Sequence, residues 1–187
     1  NSVTFKYTLD VTNNNKKNMK MKKILLSILF ALICCISSAQ MAKFQALYIY
    51  NFAKNIGWAS EDNSKDFVIT VVGDNELVSE LNSLAKTKKI GNRTVIVKEA
   101  ATVNGLPKSD IIYLGESKSA QIASLMTNQK GNKTLIVTGR QGQCADGAGI
   151  SFFSQGSKLN FEISEKNIKT GGLNVSAKLL QLGTQVD

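Results

Sequence analysis

Residues 149–182 read GISFFSQGSKLNFEISEKNIKTGGLNVSAKLLQL, and this stretch decides the fold. Ile150 to Phe153 is a short apolar run. Ser154-Gln155-Gly156-Ser157 is a turn in which Gly156 is free to adopt a positive φ. Leu159, Phe161 and Ile163 then alternate with Lys158, Asn160 and Glu162, the period of a strand with one wet face. The two runs make a β-hairpin. Ser164 is placed to cap a short helix, Glu165 to Lys169, with Glu165 at its positive end. Gly171-Gly172 ends that helix. Leu173 and Val175 re-enter the core, and Ser176 caps a last helix carrying Leu179, Leu180 and Leu182. A hairpin and two short helices cannot bury these apolar positions alone, so the rest of the chain must supply a larger partner.

Upstream, strand and helix patterns alternate. Ala42 to Gly57 is an amphipathic helix, with Phe44, Leu47, Tyr48, Asn51, Phe52, Asn55 and Ile56 as its expected apolar stripe and Lys43, Tyr50 and Lys54 opposite. On that stripe Asn51 would need buried hydrogen-bond partners. Glu61 to Lys65 is a polar turn. Phe67 to Val72 is apolar and β-branched throughout, as in a strand covered on both faces. Glu76 to Lys86 is a helix capped by Asp74 or Asn75. Thr94 to Val97, Asp110 to Leu114 and Thr134 to Thr138 are further strands. Ala100 to Lys108 is a loop or short helix holding the single proline, and Ser117 to Gln129 is a helix. The pattern predicts an α/β fold: a Rossmann-like three-layer domain with a mostly parallel sheet and a C-terminal antiparallel hairpin.

The N-terminal part reads differently. Lys20, Lys22 and Lys23 precede an apolar run, Ile24 to Ile36, followed by Ser37-Ser38-Ala39. This is the layout of a cleaved signal peptide over residues 19–39, and the run falls short of the roughly 20 residues a spanning helix needs. Residues 1–18 are polar and unpatterned and stand upstream of two candidate start methionines, Met19 and Met21; they are expected to be disordered or foreign to the native protein. Residues 40–187 then form one domain. The +9 formal charge of the whole chain falls to +4 in that part, because six basic residues and one acidic residue precede Gln40. Neither nucleic-acid binding nor membrane insertion of the mature chain is expected.

The chemistry open to such a chain is narrow. With no histidine, the Ser-His-Asp and Cys-His triads and histidine zinc sites are excluded. No metal site, cofactor or catalytic residue is expected, and the chain does not read as an enzyme. Cys144 is the only cysteine after residue 39, so it is either buried or free to pair between two chains in a homodimer. The strand-Gly73-Asp74 junction lacks the glycine spacing of a nucleotide loop, and capping is the expected role of Asp74. Gly139 to Gly149, GRQGQCADGAG, follows a strand. Its amides and Arg140 are candidates for holding an anion, or its glycines serve only an irregular connection. A small-ligand crevice at the strand ends would use Asp74, Asn75 and Arg140. Partner contact would fall to Tyr50, Trp58, Arg140, Gln143 and Cys144, with Trp58 equally suited to close the core.

Three segments carry a resemblance. The hairpin-to-helix stretch quoted above, Tyr48-Ile49-Tyr50-Asn51-Phe52-Ala53-Lys54 followed by Trp58, and Phe67 to Asp74 together resemble the YfiR-like family of periplasmic regulatory proteins over about Ala42 to Val186. Ala59 departs from the pattern, standing where the family has proline. The resemblance implies a periplasmic protein that binds and restrains an inner-membrane signalling receptor, either a diguanylate cyclase governing cyclic-di-GMP or a sensor kinase. The competing expectation is a periplasmic small-ligand-binding protein.

Overall fold

The computed structural model describes residues 40–58 and 65–186. Met41–Asp187 forms a compact unit, and its buried apolar residues run from Ala42 to Leu179, so the unit carries its own complete core. The expected signal peptide, the segment before it, Ala59 and most of the 61–65 turn lie outside the described residues.

The eight-stranded sheet grows in both directions from β2 (Phe67–Val72). On one side lie β4 (Arg93–Ala100) and the short antiparallel β3 (Lys89–Ile90). On the other lie β5 (Ile111–Leu114), β6 (Leu135–Thr138) and β7 (Ile150–Gln155), all parallel to β2. The predicted hairpin pairs β7 with β8 (Lys158–Ile163), Phe152 opposite Phe161, and β10 (Thr184–Gln185) closes the edge parallel to β8. A separate two-stranded ladder joins β1 (Ile56–Gly57) to β9 (Asn174–Val175). The expected mostly parallel α/β sheet with a C-terminal hairpin is therefore present. The strands missed from sequence are two-residue pieces, too short to show a period.

Alternation sorts the core into two layers. Ile69, Val71, Ile111, Tyr113, Leu135 and Val137 face α1 (residues 40–55) and α2 (Asn75–Ala85). Val72, Ile112, Leu114 and Ile136 face α3 (Ile122–Asn128), through Ile122 and Leu125. The start of the predicted 117–129 helix is instead a 3-10 turn over Glu116–Gln121. Lys118 N donates to Gly115 O, and the Ser117 hydroxyl is drawn to Gly73 O at 3.1 Å. Residues 101–109 hold no helix; β4 runs to Ala100 and a loop follows. The caps read from sequence are in place. Leu77 N donates to Asp74 Oδ1, Asn167 N to Ser164 Oγ at the start of α4 (Glu165–Thr170), and Leu179 N to Ser176 Oγ at the start of α5 (Ala177–Leu182).

The stripe expected on α1 is corrected. The buried residues are Ala42, Ala46, Ile49, Phe52, Ala53 and Ile56, a face turned by about a third of a turn at about 3.6 residues per turn. Three alanines let the helix approach the sheet closely. Asn51 is exposed and needs no buried partner; its carbonyl accepts from Asn55 Nδ2 at 2.9 Å. Phe44 is left 44% exposed. Tyr48, at the edge of the buried face, packs edge-on against Phe152 and Phe161.

Candidate functional site

The strand order puts a reversal of sheet growth at the carboxyl ends of β2 and β5, where open α/β sheets form ligand crevices. In this protein that place is filled. Gly115 N donates to Val72 O at 2.9 Å, and a Cβ on Gly115 would stand 2.8 Å from Gly73 O. The aliphatic stem of Lys118 lies directly over Gly73, leaving no room for a side chain there. Asp74 is occupied as a helix cap, and Asn75 is an exposed first residue of α2.

An open cleft of about 300 Å³ lies further along the same end of the sheet, lined by Met41, Gln45, Glu116, Arg140, Phe152 and Leu159 among others. Behind it sits Tyr113, whose hydroxyl accepts from Gln45 Nε2 at 3.2 Å. Burial raises the Tyr113 pKa above its ordinary range, and the nearby Asp74 carboxylate adds to the shift, so the phenol stays protonated. Gly139 is required here: a Cβ would stand 2.5 Å from the Tyr113 hydroxyl and 3.0 Å from Glu116 N. Arg140 is exposed at the rim, with Nη1 donating to Ser119 Oγ at 3.3 Å. The cleft thus offers a cation, an anion, an amide and apolar walls, which is binding chemistry. Of the three crevice residues expected from sequence, Arg140 lines it and Asp74 lies behind Tyr113.

The 139–149 loop is a tied connection. Gly142 N donates to Glu162 Oε2 at 2.8 Å, and the amides of Ala145, Asp146, Gly147, Ala148 and Gly149 all donate to backbone carbonyls. Asn167 Nδ2 clamps the loop by donating to Cys144 O at 2.7 Å and Ala148 O at 2.9 Å. These amides are taken up by the chain's own carbonyls and by the Glu162 carboxylate, so the glycines serve the connection. Gln143 and Cys144 are both 5% exposed. Gln143 Nε2 donates to Ser119 O, while its Oε1 has no partner. The Cys144 thiol lies 3.4 Å from Ser151 Oγ. Its pKa is pushed up to about 11, chiefly by burial, and the Glu162 carboxylate adds to the shift.

The other two residues named from sequence lie elsewhere. Trp58 stands edge-on to Phe67 with ring centres 5.0 Å apart and donates Nε1–H to Ala53 O. It closes the core. Tyr50 is half-buried and donates its hydroxyl to Lys89 O at 2.8 Å. The structure therefore does not gather Tyr50, Trp58, Arg140, Gln143 and Cys144 into one patch. Tyr50 and Trp58 belong to the later turns of α1 and its exit. Arg140 meets the first turns of α1 across the cleft, and Gln143 and Cys144 are inside. Gln45 and Glu116 were missed, although Gln45 has the i, i+4, i+7 relation to Ile49 and Phe52 that marks a residue facing the sheet.

Among the described residues no group of three or more acidic or cysteine side chains is placed to hold a metal ion, and no helix is long and apolar enough to cross a membrane. No curated protein matches the chain significantly. The YfiR/HmsC-like family description matches residues 42–184, from the first turn of α1 to the first residue of β10 and so across both layers of the core, and the chain belongs to that family.

Proposed function

We propose that this protein is a periplasmic regulator that restrains an inner-membrane signalling protein, a diguanylate cyclase or a sensor kinase, by direct contact. One observation carries the reading: the family match extends over essentially the whole folded unit. The family is a regulatory one, associated with the periplasm and with cyclic-di-GMP signalling. Restraint requires only that the domain bind one conformation of its receptor more tightly than the other. Export through the 19–39 signal peptide belongs to the same proposal. Arg140, exposed at the cleft rim, is the contact residue best placed to test at that end.

Affinity capture of the tagged protein from its own envelope, in mild detergent with crosslinking, tests the reading. Recovery of an inner-membrane cyclase or kinase, weakened by Arg140→Ala, is the expected result. Absence of any membrane signalling protein from repeated captures would sink it. The cleft itself favours a second reading, small-ligand binding, because Arg140 and Glu116 oppose each other in charge beside apolar walls. Native mass spectrometry of protein taken from the envelope would then show a bound small molecule that Arg140→Ala loses.

A further inference from the structure

The Tyr50 side of α1 concentrates one sign of charge. Lys54 Nζ and Lys88 Nζ each lie 5.7 Å from the centre of the Tyr50 ring. The Tyr50 hydroxyl, by donating to Lys89 O, ties the ring to the turn that carries Lys86, Lys88 and Lys89. All four of these lysines are exposed. The ion pairs among the described residues are Arg93–Asp110 and Lys169–Glu165, so none of the four is neutralised by a described carboxylate. Lys43 precedes Tyr50 by seven residues, two helical turns, and so shares its side of α1. Leu47 borders Tyr50, whereas the exposed Phe44 lies about a third of a turn further round the helix.

We propose that this surface rests on an anionic lipid bilayer. Three observations select a bilayer over an acidic protein. The cations are all lysines, which protein interfaces deplete while enriching arginine. A cluster of four to eight lysines suits a plane of anionic headgroups, and lysine stems extend readily to reach one. The surface is one side of a helix with an adjoining turn, and it centres on Tyr50, an amphipathic ring suited to the interfacial layer. Lys54 and Lys88 lie over that ring, so ring and charge share one surface. The inference does not depend on the receptor reading, since it requires only lipid.

Flotation of residues 40–187 with vesicles tests it, using phosphatidylcholine alone and phosphatidylcholine mixed with phosphatidylglycerol. Binding is expected only to the mixed vesicles, and it should fade between about 0.1 M and about 1 M salt as the Debye length falls from about 10 Å to about 3 Å. Lys54→Gln combined with Lys88→Gln should weaken partitioning by about 25-fold, at about fivefold per lysine. Lys130→Gln combined with Lys166→Gln, exposed lysines at the end of α3 and on α4, should leave it unchanged. Absence of binding to the mixed vesicles, equal loss in both double variants, or tighter binding to polyglutamate than to vesicles of equal charge would each overturn the proposal. The last would reassign the surface to an acidic protein.

Discussion

Raising the pH from 8 to 10 should destabilise this protein chiefly through one group, the Cys144 thiol. Folding moves its pKa from 9.0 to about 11, because the thiol is buried and faces the Glu162 carboxylate. The folded state therefore holds this proton more tightly than the unfolded chain. The resulting stabilisation is fully present below pH 9 and is lost as the pH rises through 9 towards 11. With those two values, the loss between pH 8 and pH 10 is about 1 kcal/mol. Tyr113 is also raised; its unfolded phenol titrates from 10.0, so it begins to add to the loss as the pH nears 10, by the same amount in the wild type and the variant. Urea unfolding followed by circular dichroism at pH 8, 9 and 10, on the wild type and Cys144→Ser, isolates the effect. The wild type should lose about 1 kcal/mol more than the variant over that window. Parallel curves would refute the reasoning. The same shift cuts the thiolate fraction at pH 8 by roughly a hundredfold, so Ellman's reagent should label Cys144 only as the protein unfolds. A disulfide-linked homodimer formed by the folded protein is incompatible with that result.

Three further substitutions probe the scaffold by the same unfolding measurement. Arg93 donates to both carboxylate oxygens of Asp110 and to the carbonyls of Lys65 and Asp66 while lying over the Phe67 ring; Arg93→Ala should cost about 3 kcal/mol, and a loss under about 1 kcal/mol would show that the clamp is not structural. Asn167→Ala removes the two hydrogen bonds by which this side chain clamps the 139–149 loop and should cost about 2 kcal/mol, with faster proteolytic nicking near Ala145 as an independent sign. Gly183→Ala would drive a methyl group into the Phe161 ring and Ile163; it should cost about 1–3 kcal/mol, and an unchanged midpoint would mean that β8 yields more easily than its packing implies.

The parts of the fold legible in the sequence are those in which one residue type has one physical use. The alternation from Lys158 to Ile163 admits a single wet face, and Ser164, Ser176 and Asp74 stand where caps are needed. The burial of α1 was not legible in the same way. Ranking residues by hydrophobicity put Phe44 and Leu47 inward. The observed face is set by Ala42, Ala46 and Ala53, whose value lies in being small against a sheet already supplied with Phe152 and Phe161. The candidate site was legible only in part for a related reason. Arg140 follows a strand and so falls at a strand end, but what it faces depends on Met41, Gln45 and Leu159, distant in sequence and ordinary in type. Gly139 and Gly183 look like turn glycines, and only the close approach of Tyr113 and Phe161 shows that they are needed for space.

The filled junction between β2 and β5 bears on function more than any residue added to the fold. In a sheet of this order, the place where growth reverses is the one where strand ends diverge and a ligand enters. Here two glycines, Gly73 and Gly115, bring the loops into contact, and Lys118 lies across them. The loop amides that elsewhere hold phosphate are turned to other work: Gly73 N donates to Ala100 O and Gly115 N to Val72 O. Among the described residues the β2–β5 junction is closed and the Cys144 thiol is buried and protonated. Two surfaces are candidates for contact: the Arg140 rim near the start of α1, and the lysines around Tyr50 two turns further on. Because α1 is packed rigidly on the sheet by its small residues, a contact made at either place is held in a fixed relation to the other. If the proposed restraint of a membrane-bound receptor holds, that fixed relation sets the orientation in which the receptor is met, and substitution at the lysines should then change how the rim is presented without changing the rim itself.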